Sequence, residues 1–83
     1  MKLIPITQGM LEKYEDAKVQ ALQDADKMSV THYNRLLIEF AIEAGFALDA
    51  PRNLTELYPP EVAKLTEEII AHVNAAKAPP DPN

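Results

Sequence analysis

A carboxylate and an imidazole stand four residues apart near the end of the chain, at Glu68 and His72. On an α-helix this spacing puts both side chains on one face, where they could bind the same transition-metal ion. Such an ion takes three or four ligands, and the sequence has no HExxH segment, no paired ExxH segments and no cysteine to supply the others. We therefore predict a solvated helix pair here, with no metal and no cofactor.

Two pairs of carboxylates at the same spacing resemble the acid and base of a hydrolase. They are Glu12 with Asp16, and Glu39 with Glu43. General acid–base catalysis needs a pocket that raises the pKa of one carboxyl, and a helical chain of this length rarely offers one. Ion pairs within a helix are the simpler account, and we expect Arg35 to pair with Glu39 and Glu15 with Lys18.

The sequence has no recognisable nucleophile and no phosphate loop. Ser29 and Thr7 lack the neighbours of a nucleophile elbow, and both are best explained as helix caps. The two glycines, Gly9 and Gly45, are too far apart to form a phosphate-binding loop. We expect no catalytic residue and predict that the protein is not an enzyme.

Composition predicts a small, acidic, helical domain. The chain has 83 residues, with 8 basic and 13 acidic side chains and a formal net charge of −5. That charge repels a phosphate backbone, so direct binding of nucleic acid is disfavoured. No apolar run approaches the roughly 20 residues that span a bilayer, and the absence of cysteine is compatible with a reducing cytoplasm. We expect a cytoplasmic protein with no membrane partner.

Apolar residues at helical spacing predict two helices after an extended arm, with the arm at residues 1–7 and the helices at about 8–25 and 30–44. Thr7 or Gly9 can cap the first helix, Ser29 the second, and Gly45 supplies a left-handed stop. The arm has no predicted partner strand. The second helix is apolar beyond a single stripe, so it needs neighbours on more than one side.

A short extra turn precedes the last helix. Asn53 and Glu56 have the spacing of a reciprocal cap, and Pro60 suits the first position of a helix at about residues 60–77. The Pro-rich segment that follows cannot continue a helix, so we expect residues 79–83 to be a flexible tail.

These elements predict an all-α fold: one small three-helix domain over residues 1–78, with an extended N-terminal arm. If three helices do not cover the apolar surface, a partner protein or a second copy in a homo-oligomer would cover it. The residues that we expect at such an interface are Ile38, Ile42, Ile70, Phe46 and Tyr58.

Two segments, YNRLLIEFAIEAGF and LTELYPPEVAKLTEEIIAHVNAA with the proline-rich end after it, resemble small acidic helical proteins encoded among phage morphogenesis genes, particularly tail assembly chaperones. The resemblance implies a phage protein in the host cell cytoplasm that binds apolar surface on a tail or virion component. Such binding would prevent premature association. The family has no catalytic motif, so the resemblance assigns no residue roles.

An acidic phage inhibitor of a host defence complex, of the anti-defence or anti-CRISPR type, is the alternative. Its carboxylates would imitate nucleic acid by standing where phosphates bind a basic groove. The two hypotheses differ in salt dependence, because an apolar interface survives moderate salt whereas an electrostatic one weakens steeply.

Overall fold

The computed structural model describes residues 1–78, and three helices make up most of that length. The elements, in chain order, are β1 (Lys2–Leu3), α1 (Gln8–Gln23), a 3₁₀ turn (Ala25–Lys27), α2 (Val30–Ala44), β2 (Ala47–Leu48), a second 3₁₀ turn (Leu54–Glu56) and α3 (Pro59–Lys77). The predicted all-α class, its three helices and the extra turn before the last one are confirmed. The predicted flexible tail, residues 79–83, lies outside the described residues.

Side-chain caps start the first two helices where the sequence predicts them. The Thr7 hydroxyl accepts a hydrogen bond from the backbone N–H of Met10 at 3.2 Å, and the Ser29 hydroxyl accepts one from His32 at 3.0 Å. Each bond satisfies an amide that has no partner within its helix. α1 ends at Gln23, two residues earlier than predicted, and the chain tightens into the first 3₁₀ turn.

The start of α3 differs in detail from the prediction. The helix begins at Pro59 and not at Pro60, because neither of the first two amides of a helix needs an intrahelical partner. The predicted reciprocal cap at Asn53 does not form within the described residues. Its carboxamide oxygen instead accepts from the backbone N–H and the hydroxyl of Thr55, two residues further on.

The direction of each helix follows from a few contacts. Met10, at the start of α1, lies against Gly45 at the end of α2, so these helices are antiparallel. On α3, the Thr66 hydroxyl donates to the backbone oxygen of Asn34, and the His72 ring lies against Phe46. Later residues of α3 therefore meet later residues along α2, and the two helices are parallel.

The N-terminal arm pairs with a strand of the same chain. β1 and β2 are antiparallel, with Lys2 opposite Leu48 and Leu3 opposite Ala47. The backbone N–H of Ile4 continues the ladder by donating to the Phe46 oxygen at 3.0 Å. The expectation that the arm has no partner strand is therefore wrong, because the two residues after the α2 stop are extended and lie beside it.

The core lies between the helices and the paired strands. Its buried apolar members are Tyr14, Leu37, Ile38, Ala41, Ala44, Phe46, Ala47, Leu54, Val62, Ile69 and Val73. Phe46 is fully buried between α1 and α3, edge-on to Tyr14 at 5.6 Å between ring centroids and tilted against His72 at 6.0 Å. The core also holds the Thr66 hydroxyl, which donates to the backbone oxygens of Val62 and Asn34.

Candidate protein interaction surface

The structure divides the five predicted interface residues between core and surface. Ile38 and Phe46 are fully buried, so the prediction that they meet a partner is wrong for this fold. Ile38 faces the core from the middle of α2, and Phe46 turns inward after the helix stop to fill the space between α1 and α3. The other three are exposed, with 37% of Ile42, 41% of Ile70 and 73% of Tyr58 accessible to solvent.

Ile42 and Ile70 are exposed isoleucines on the two helices that pack in parallel, Ile42 on α2 and Ile70 on α3. The hydrogen bond from Thr66 to Asn34, 3.1 Å long, marks one level of that contact. Ile42 is one helical turn after the buried Ile38 on α2, and Ile70 is one turn after Thr66 on α3. We call the exposed Ile42 and Ile70 together the isoleucine seam.

Carboxylates border the isoleucine seam on both helices. Glu39 and Glu43 lie on α2 on either side of Ile42 in sequence, and Glu67 lies on α3 one turn before Ile70. Glu39 accepts a 3.0 Å hydrogen bond from the Arg35 guanidinium, which neutralises it. Among residues 1–78, neither Glu43 nor Glu67 forms an ion pair. The border of the seam is therefore net acidic.

Tyr58 belongs to a different part of the surface. It caps the start of α3, twelve residues before Ile70, which corresponds to roughly 18 Å along the helix. The preceding residue, Leu57, lines an open cavity of about 380 Å³. The remaining lining residues are Met1, Pro51, Glu61, Lys64, Leu65 and Glu68. The five predicted residues therefore do not form one patch.

A second cavity, of about 190 Å³, lies between the start of α2 and the extra turn. Its lining residues are Ser29, Thr31, His32, Arg35, Leu54, Thr55, Leu57 and Val62. The Arg35 guanidinium is bonded to Glu39, and the Ser29 hydroxyl already caps α2. Two polar groups of this cavity, the guanidinium and the serine hydroxyl, are therefore already engaged within the protein.

Four further large apolar residues are exposed that the sequence did not single out as surface, and one of them, Leu48, lies on β2 with 41% accessible to solvent. Val19 and Leu22 lie three residues apart on α1, and Val30 is the first residue of α2, with exposed fractions of 57%, 51% and 77%. The sequence places Leu22 among the apolar residues at helical spacing on α1, so only tertiary packing could show that it is uncovered. Val19, Leu22 and Val30 lie on or next to the α1–α2 connection.

His72 is not the solvated side chain that the sequence predicts. Its Nε2 atom lies 2.7 Å from the backbone oxygen of Ile4, and its ring packs against Phe46. A carbonyl oxygen can only accept, so the ring proton is on Nε2. The neighbour expected to pair with it, Glu68, instead lines the larger cavity. No sequence signal links residues 4 and 72, because their contact depends on how the arm folds back.

The ion pairs follow the predictions in part. Arg35 pairs with Glu39 as expected. Glu15, expected to pair with Lys18, instead accepts a 2.9 Å hydrogen bond from Lys77 near the end of α3. The helix order explains the difference, because the antiparallel arrangement brings the end of α3 beside the start of α1.

Two kinds of feature are absent from the residues that the structure describes: a metal-binding cluster and a membrane-spanning helix. Within residues 1–78, no three His, Asp or Glu side chains are grouped so that they could hold a metal ion. In the same part of the chain, every helix is too short or too polar to cross a bilayer. Comparisons with protein family models, curated proteins and solved structures find no match to this chain.

Proposed function

We propose that this chain is a non-enzymatic protein-binding module of a phage, a tail assembly chaperone or an accessory protein of virion morphogenesis that acts in the host cell cytoplasm. The observation that carries the proposal is the isoleucine seam, where two branched apolar side chains stay partly exposed beside a well-filled core. Exposed apolar side chains on a helix face can anchor a partner helix. The sequence resemblance supplies the phage setting.

The size of the seam suits a transient contact. Fully burying an isoleucine is worth about 1.5–3 kcal/mol, and only some two-fifths of each side chain is still exposed. Covering both would contribute about 2 kcal/mol, so the seam can anchor a larger interface without making it permanent. A chaperone needs this balance because it must release its client when assembly begins.

A pull-down from infected cells tests the proposal. The tagged full-length chain, with Ile42→Asp/Ile70→Asp and Val19→Asp/Leu22→Asp variants, is incubated with lysate at about 50 mM and about 500 mM salt, and bound proteins are identified by mass spectrometry. The wild type and the α1 variant should retain a tail or virion protein at both salts, and the seam variant should lose it. The α1 variant is the matched control, since it also places two charges on exposed apolar positions.

Two results would contradict the proposal: equal recovery of the same virion protein by the seam variant, or recovery of no virion protein by the wild type. Circular dichroism of each variant confirms that the helices are intact. Ile38 is unsuitable for such a test, because a charge at this buried position would unfold the domain.

The acidic inhibitor of a host defence complex is the second candidate function. The observation that favours it is the pair of carboxylates, Glu43 and Glu67, that have no ion-pair partner among the described residues. An inhibitor of this kind would retain a nucleic-acid-handling host complex at low salt and lose it at high salt. The same pull-down therefore separates the two candidates.

A further inference from the structure

We infer that the larger cavity binds a free α-amino acid with a large apolar side chain. The inference goes beyond the proposed function and does not depend on the isoleucine seam. It follows from the elements that form the cavity, from the division of its lining into an apolar and a charged part, and from the presence of both signs of charge in the second part.

Three parts of the fold form the walls of the cavity. The antiparallel strand pair holds Met1, at the start of the arm, beside the connection after β2, which contains Pro51. Leu57 adds to the wall just before α3. α3 supplies the rest from positions spaced by three and four, which share one helix face: Glu61, Lys64, Leu65 and Glu68. The volume of about 380 Å³ is within the range of roughly 300–1,000 Å³ that is usual for ligand sites.

The apolar part of the lining suits a large hydrocarbon side chain. Met1, Leu57 and Leu65 pack against the core from three different elements, and all three also line the cavity. Each therefore presents apolar surface that the core does not cover. A phenyl or branched aliphatic group placed there removes that surface, and its own, from water, which is favourable.

The charged part of the lining suits a ligand that carries both signs of charge. Glu61, Lys64 and Glu68 are exposed on adjacent turns of α3, and among residues 1–78 none of them is in an ion pair. Side chains on adjacent turns are close neighbours, with roughly 5–6 Å between their Cβ atoms. An α-amino acid has its ammonium and carboxylate on one carbon, so the ammonium can donate to Glu68 while the carboxylate accepts from Lys64.

The same three charges disfavour simpler ligands. An amine without a carboxylate would meet the ammonium of Lys64, and an acid without an amine would meet the carboxylates of Glu61 and Glu68. A residue inside a peptide chain carries neither main-chain charge, so it would leave these groups without a partner. A free amino acid is the ligand whose charges match all of them.

The test compares L-phenylalanine with four probes that each lack part of it. Phenethylamine lacks the carboxylate, 3-phenylpropionate lacks the ammonium, N-acetylphenylalanine amide lacks both charges, and glycine lacks the side chain. Each is titrated into the ¹⁵N-labelled full chain at constant ionic strength and followed by amide chemical shifts. Phenylalanine should bind with a Kd of about 1 mM and the largest shifts around residues 57 and 61–68, and each probe should bind at least about fivefold more weakly.

Two lysine variants make the test specific to the cavity. Lys64→Gln should weaken binding of phenylalanine about fivefold without weakening that of phenethylamine, because the amine has no carboxylate for Lys64 to bind. Lys13→Gln is the matched control, since it removes the same charge from an exposed position on α1 outside the cavity. It should leave the affinity for phenylalanine within about twofold of the wild type. Circular dichroism confirms that both variants are folded.

Several outcomes would overturn the inference. The first is no shift at about 20 mM phenylalanine, or shifts centred outside the cavity. Equal affinity for phenylalanine and any one probe is another, because the group missing from that probe would then not be recognised. If that probe were the acetylated amide, the cavity would suit a segment of a partner protein instead. Equal weakening in Lys64→Gln and Lys13→Gln would also overturn it, since only the net charge of the protein would matter.

Discussion

At the scale of single residues, Phe46 has the largest structural consequence. It follows a helix stop, is fully buried, and contacts an aromatic ring on each of two helices that have little direct contact with one another. An edge-on aromatic pair adds about 0.5–1.5 kcal/mol to the gain from burial alone. Tyr14 is the other half of that pair, and burial is the main reason that its pKa rises to about 12, with Tyr33 and Glu15 adding to the effect.

The raised pKa of Tyr14 predicts a loss of stability at high pH. The unfolded phenol ionises above about pH 10, whereas the folded one stays neutral until about pH 12. In that interval the unfolded state binds fewer protons, so the free energy of unfolding falls as pH rises from 10 to 12. Below pH 10 the phenol is neutral in both states, so its ionisation has no effect on stability. Urea unfolding at about pH 8 and about pH 11 should show a smaller loss in Tyr14→Phe than in the wild type. Equal losses in the two proteins would contradict the prediction.

At the scale of elements, helix ends decide the path of the chain. Gly45 ends α2 with a φ of 99°, in the left-handed region, and its N–H bonds to the oxygens of Ala41 and Ile42. That conformation is cheap for glycine and costly for a residue with a Cβ atom. It directs the next residues along the arm, where β2 pairs with β1. The stop therefore positions both the strand pair and Phe46.

The two glycines of the chain should respond oppositely to alanine. A Cβ on Gly45 would meet Met10 only at an ordinary contact distance of 3.6 Å, so the cost of Gly45→Ala comes from backbone strain and should be about 1–2 kcal/mol. Gly9 lies in the first turn of α1 with open space around it, and Gly9→Ala should be neutral or stabilising by about 0.5 kcal/mol. Thermal unfolding measures both changes, and a Gly45→Ala melting temperature at or above that of the wild type would disprove the first.

At the scale of the whole molecule, the arm and the long connection after α2 hold the helices together. The connection carries the chain back along α2, so α3 runs parallel to it. His72 donates to the oxygen of Ile4 and so links the last helix to the arm, while Lys77 and Glu15 link the last helix to the first. The ion pair is exposed and contributes about 0–1 kcal/mol. The half-buried contact of His72 should contribute more.

Removing the His72 contact should loosen the arm before the helices. His72→Ala leaves the Ile4 oxygen without its donor and removes packing from Phe46, for an expected cost of about 1–2 kcal/mol. Hydrogen exchange should accelerate at the Ile4 amide, which bonds to Phe46, more than at amides in the middle of α2. Asn74→Ala, at an exposed position on the same helix, is the control and should leave exchange unchanged. Protection of Ile4 equal to that of the wild type would exclude this role for His72.

The predicted interface shows how far the candidate site could be derived from sequence. Ile42 and Ile70 are exposed as expected, whereas Ile38, on the same helix as Ile42 and equally apolar, is buried. Helical periodicity shows which faces of a helix are apolar. When most of the helix is apolar, it cannot show how many of those faces are covered by neighbouring elements. Leu22 shows the opposite error. The sequence places it among the apolar residues at helical spacing on α1, yet its side chain is exposed.

The sequence by itself determined the three helices, the cap at Ser29 and the stop at Gly45, and it limited the cap of α1 to Thr7 or Gly9, because these features depend on interactions within a few residues. Only the tertiary structure decided the parallel course of α3, the pairing of the arm with Ala47–Leu48 and the link from His72 to Ile4. Those contacts join residues that are far apart in the chain. Their formation depends on the combined packing of all the elements, which no local pattern records.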